Sequence, residues 1–131
     1  MPAEPAFRPD NRLRAPYLAA PFATSEIAWF WTASTLKARQ EGTAPPGPGP
    51  CRPEDVVKCL DALYRQRRID LLHVRILRTW GWKGIAPNSS STREHCDWRV
   101  WHEALGRLDW PLRVRGIVVE NVLRPKQGCA A

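Results

Sequence analysis

Arg65, Arg67, Arg68, Arg75, Arg78 and Lys83 form the purest basic cluster of the chain. Guanidinium and ammonium groups gathered in this way are suited to neutralising phosphates. The cluster belongs to a wider asymmetry. Residues 1–61 hold seven Lys/Arg and seven Asp/Glu, net zero, whereas residues 62–131 hold thirteen against six, so the whole formal charge of +7 lies in the second half. A one-sided positive field favours nucleic acid, an acidic protein or an anionic surface. The same arginines also fit a solvated face laid over a helical core, and both readings stay open at this level.

Seven tryptophans are the second chemical resource. Trp31, Trp80, Trp98 and Trp101 are expected in the core. Trp29, Trp82 and Trp110 fall in loops or off the main apolar stripes, and tryptophan with arginine is what anchors protein interfaces. Other chemistry lacks its residue patterns. Cys51, Cys59, Cys96 and Cys129 have no paired spacing of the kind zinc requires, and His95 and His102 lie about 10 Å apart along a helix, so no metal or other cofactor is expected. Cys96 and His95 are adjacent, and helical neighbours diverge by about 100°. With no phosphate loop, paired-carboxylate signature or nucleophile elbow, catalysis is not expected.

These side chains need elements to carry them. Residues 1–22, with five prolines, read as an extended N-terminal arm along which Tyr17, Leu18 and Phe22 could dock. Thr24 or Ser25 can cap a first helix over SEIAWFWTASTLKARQ, ending before Gly42. Its expected apolar face is Ile27, Phe30, Trp31 and Ser34, with Trp29 well off it. The proline- and glycine-rich residues 42–53 read as a semi-rigid linker, with a proline-rich recognition motif as the functional rival. Pro53, Glu54 and Asp55 open a second helix in which Val56, Cys59, Leu60, Leu63 and Tyr64 share a face. Asp70 can cap a third, LLHVRILRTW, closed by Gly81. Residues 81–90 are loop. Ser91 and Glu94 match a capping box for a fourth helix, with Trp98, Trp101, Leu105 and Leu108 as its stripe. Asp109 before Trp110-Pro111 is expected to cap a separate short turn, closed by Gly116. Ile117–Val119 are an edge strand or a docked tail, and residues 117–131 form the C-terminal tail.

The expected fold is therefore all-α, a small bundle of about four helices within residues 23–116. The longest apolar run, Ala28 to Trp31, is far below the roughly 20 residues a membrane span needs. The N-terminal stretch has no signal-peptide core. A soluble, cytoplasmic protein without a membrane partner is the expectation.

The segment TREHCDWRVWHEALGRLDWPLR, residues 92–113, resembles the recognition helix and following residues of the sigma-factor region-4 type of DNA-binding domain. LHVRILRTWG, residues 72–81, is similar to the helix before the turn in that family and in small phage-type transcription regulators. The resemblance spans residues 55–115 and implies a helix-turn-helix-like pair. It also implies base or phosphate contacts from Arg93 and Arg99, and a phosphate contact from Thr92. The loop between the two helices is near ten residues, against a turn of about 3–4 in that motif, so the pair is degenerate. The functional expectation is a small DNA-binding or transcription-associated regulator acting on duplex DNA. The alternative is a non-enzymatic adaptor or inhibitor gripping an acidic protein through Trp29, Trp82 and Trp110.

Overall fold

The computed structural model describes residues 19–119, so most of the expected arm and the C-terminal RPKQGCAA, with Cys129, lie outside the described residues. Among the described residues, four helices make an all-α bundle: α1 (Ser25–Glu41), α2 (Pro53–Arg65), α3 (Leu71–Lys83) and α4 (His95–Val114). Helices α1 and α4 touch each other and both remaining helices, while α2 and α3 flank that pair. No helix among the described residues is long and apolar enough to cross a membrane.

Local chemistry accounts for most of the boundaries. The Thr24 hydroxyl accepts from the Ile27 amide at 3.1 Å to start α1, and Gly42 ends it at φ +71°. Pro53 occupies the first turn of α2, where a missing N–H is harmless. The Asp55 carboxylate reaches back to the Arg52 amide at 3.0 Å. Asp70 accepts from the Leu72 amide at 3.0 Å to cap α3.

The face that α1 buries differs from the expected one. Ser25, Ala28, Trp29, Thr32, Ala33, Thr35 and Ala38 point inward, and Ile27 is 48% exposed. Small residues let the backbones of neighbouring helices come close. Their hydroxyls are satisfied, Thr32 by Ala28 O at 2.8 Å and Ser25 by Leu105 O at 3.0 Å. Trp29, expected off the core as a partner anchor, is buried at 6% exposure and donates its indole N–H to Leu77 O at 2.8 Å. Its ring lies against Gly81, where an added Cβ would sit 2.5 Å from Trp29 Nε1. That contact corrects the end of α3. Gly81 is inside the helix because Trp29 needs the space, and Gly84 at φ +78° is the terminator.

Three further expectations are corrected around α4. Ser91 and Glu94 form a turn rather than a capping box; Glu94 Oε1 is taken by the Asn88 amide at 2.8 Å, and the helix begins at His95. The helix then runs through Pro111 to Val114 without a separate Asp109-capped turn. Leu112 is fully buried, and its carbonyl accepts from Ile117 and Val118, so the core holds the last turn in place past the proline. Trp98 is only half-buried, stacked between His95 and His102.

The proline-rich segment after α1 is laid against the helix by Trp31, whose indole donates to Gly47 O at 2.9 Å. Gly49 is buried under the Phe22 and Trp31 rings. Phe22 and Val118 form one isolated parallel bridge, which docks Ile117–Val118 on the bundle.

Candidate nucleic-acid interface

The electrostatics of the surface follow from how the acids are used. Arg39 pairs with Glu54, Arg65 with Asp61 at 2.8 Å, Arg107 with Glu103 at 2.9 Å, and Arg113 with Asp109 at 2.9 Å. Other carboxylates are committed to the interior framework. Glu26 accepts from the Trp101 indole at 2.9 Å, and Asp97 from the Trp80 indole at 3.1 Å. Glu94 is held by the connection before α4. Glu103 also meets His73 Nε2 at 3.0 Å, with Asp70 on the other ring nitrogen of His73 at 3.1 Å. The His73 hydrogen bond and the Arg107 charge hold Glu103 below the usual carboxylate range. Burial pushes Asp70 up, but hydrogen bonds from the His73 and Leu72 amides and the His73 ring outweigh it and leave it lowered.

The remaining positive charge has no such partner. Among the described residues, no carboxylate lies within ion-pair distance of Arg67, Arg68, Arg75, Arg78, Arg93, Arg99 or Arg115. All seven are exposed.

The expected contact residues do not form one patch: five of the nine line three separate depressions, and Arg65, Arg75, Thr92 and Arg93 lie apart from these. Arg67 and Arg68, just after α2, line a groove with Leu63, Gly106, Arg107 and Trp110. Arg78 and Lys83 line a second groove between α1 and α3 with Lys37, Gln40, Thr79 and Trp82. Arg99 lies over a shallow depression along α4 beside Trp98 and His102. Thr92 and Arg93 are exposed in the turn before α4, and Arg75 is on the outward face of α3. Arg65, paired with Asp61, keeps an exposed guanidinium that a surface ion pair of this kind holds only weakly. Lys83 also sits 4.2 Å over the Trp80 ring.

Two groove residues escape a reading of the sequence by charge clusters. Lys37 lies in the electrically neutral half and joins the second groove only because α1 packs on α3. Arg107 reaches from α4 to the Arg68 carbonyl, a contact across 39 positions that no local spacing announces. Of the three tryptophans expected at a partner surface, Trp29 is buried, Trp82 is half-buried, and Trp110 is 62% exposed.

Helices α3 and α4 do pack together, joined by residues 84–94. That connection is shaped by Gly84, by the Asn88 side chain accepting from the Ser90 amide at 2.9 Å, and by Glu94. It is much longer than the turn of about 3–4 residues that joins the helices of a helix-turn-helix. No cluster of three or more metal-ligating side chains is found among the described residues. Comparison of the chain with protein-family models, with curated proteins and with solved structures finds no match.

Proposed function

We propose that this protein is a small, non-catalytic nucleic-acid-binding regulator that contacts duplex DNA through the arginines of its second half. One observation carries the reading. Most carboxylates among the described residues are paired with other arginines or hydrogen-bonded within the fold, while seven exposed arginines of the second half have no carboxylate within ion-pair distance among the described residues. Unpaired surface guanidinium groups form bidentate hydrogen bonds to phosphate without first breaking an internal ion pair. Arg93 and Arg99, near the start of α4, are the proposed sources of sequence preference, and Thr92 a phosphate contact. Of the acids along α4, Glu103 and Asp109 are offset by ion pairs with Arg107 and Arg113, whereas Glu94 and Asp97 accept only from neutral N–H donors and keep their charge in the field.

The test is charge reversal. With Arg67, Arg68, Arg75 and Arg78 all changed to Glu, affinity for mixed-sequence duplex DNA should fall by at least about tenfold, as loss of several phosphate contacts does. Unchanged affinity in a folded variant refutes the reading. Trp110 supports a second reading, an acidic protein partner gripped by Trp82, Trp110 and neighbouring arginines, because an indole 62% exposed is an unusual use of tryptophan. Such an interface would depend less on salt than DNA binding does.

A further inference from the structure

The end of α2 is built in an unusual way. Arg67 has φ +62°, the one non-glycine residue in the left-handed region among the described residues. Its amide donates to Tyr64 O at 3.0 Å and the Arg68 amide to Leu63 O at 2.9 Å, the paired bonds of a helix terminus that ordinarily carries glycine. A side chain at this position is disfavoured, and residues held this way tend to lie where their side chain has work to do. Arg107 from α4 fixes the same loop by donating to the Arg68 carbonyl, with Glu103 holding Arg107 from behind. Two guanidinium groups without a carboxylate partner among the described residues, Arg67 and Arg68, therefore stand on a locked backbone. Trp110 lies across the groove, 62% exposed, with the Arg113 guanidinium 5.6 Å over its ring.

We infer that this groove is a binding site for an unpaired nucleotide, in which Arg67 and Arg68 hold successive phosphates and a nucleobase stacks on Trp110. The charge of the groove selects an anion, and the exposed indole selects a ligand with a flat face. Within a duplex, bases are already stacked on their neighbours, so the groove favours single-stranded nucleic acid or an overhang beside a duplex. The site rests on the nucleic-acid reading above and adds to it a preference that exposed arginines alone do not give.

The experiment compares a fluorescently labelled blunt duplex, the same duplex with a short dT overhang, and a free dT oligonucleotide by anisotropy. The proteins are the full chain, Trp110→Ala and Arg67→Gly. The Arg67→Gly change suits the backbone, so its melting temperature should hold or rise while the guanidinium is lost. The parent should bind the overhang duplex about tenfold more tightly than the blunt one, the scale of stacking one base. Both variants should lose that advantage; Trp110→Ala should keep its blunt-duplex affinity, whereas Arg67→Gly, which removes one of the proposed duplex phosphate contacts, should also bind the blunt duplex somewhat more weakly. Equal binding of blunt and overhang duplexes by the parent, or an advantage that survives Trp110→Ala, overturns the groove assignment and leaves the duplex reading standing. No binding to any of the three nucleic acids overturns both. Polyglutamate that displaces the overhang duplex as well as dT does would also overturn it, in favour of an acidic protein ligand.

Discussion

Replacing Gly81 by alanine tests the closest helix contact in the core. The added Cβ would lie 2.5 Å from Trp29 Nε1 and 3.2 Å from both Trp29 Cδ1 and Ala33 Cβ. An ordinary carbon contact is about 3.5–4.0 Å, so the indole must withdraw by roughly 1 Å. Trp29 is buried and donates to Leu77 O at 2.8 Å, a bond that does not survive such a shift. Leaving a buried donor unsatisfied costs about 1–3 kcal/mol, and overpacking adds about 1–3 kcal/mol. Alanine in a helix returns about 1 kcal/mol relative to glycine. The balance is a loss of about 3 kcal/mol, a fall in melting temperature of roughly 12 °C for a domain of this size. Thermal unfolding followed by circular dichroism measures it. Gly106→Ala is the internal control: it too lies inside a helix, but nothing stands within 4 Å of the added Cβ. That variant should gain about 0.5–1 kcal/mol. A Gly81→Ala protein as stable as its parent refutes the packing argument.

Other expectations follow from single contacts. Trp101, 2% exposed and bonded to Glu26, should lose about 3–5 kcal/mol on change to alanine, and a melting temperature within a degree or two of the parent would show that it is not core. Glu103 and Glu54 are both held below the ordinary carboxylate value of 4.5, by the His73 hydrogen bond and the Arg39 hydrogen bond respectively. A depressed folded pKa contributes stability that is present above the unfolded value and lost as pH falls through the folded one. Melting temperature should therefore decline below about pH 4.5, less steeply in Glu103→Gln; equal declines in the two proteins would remove Glu103 from the explanation. Burial pushes the Cys51 thiol up to about 12 and raises Cys59, while Cys96 is exposed. Alkylation of the native protein near neutral pH, mapped by mass spectrometry, should mark Cys96 well before the half-buried Cys51 or the buried Cys59, and labelling of Cys59 as fast as Cys96 would contradict its burial.

The parts of the fold written in local signals were legible. Pro53, Glu54 and Asp55 open α2, Thr24 caps α1, and the spacing of Val56, Cys59, Leu60 and Leu63 gives the buried face of α2, though Tyr64, expected on the same face, is 45% exposed near the helix end. The parts set by tertiary contacts were not. The identity of a glycine does not say whether it ends a helix, as Gly84 does, or admits a neighbour, as Gly81 does for Trp29. Pro111 would stop a free helix, yet buried Leu112 carries α4 past it. The match of Ser91 and Glu94 to a capping box was local and lost to a competitor, the Asn88 amide. At the candidate interface, the exposure of Arg75, Arg78 and Arg99 was readable from their helix positions, while Arg67, Arg68 and Arg93 lie in the turns beside the helices. Which of them lack an acid was not, because Glu103 could reach Arg99 or Arg107 at the same spacing and pairs with Arg107.

The central claim is that exposed arginines without acid partners bind phosphate, and salt dependence measures this most directly. Affinity for a mixed-sequence duplex, titrated over a series of salt concentrations with heparin as a competing polyanion, should fall steeply, with a slope equivalent to about four phosphates or more at roughly −0.9 each. Duplex binding should also outlast modest amounts of heparin. Absence of binding at low salt, or an affinity indifferent to salt, would contradict the account and leave the positive half of the chain to an acidic protein.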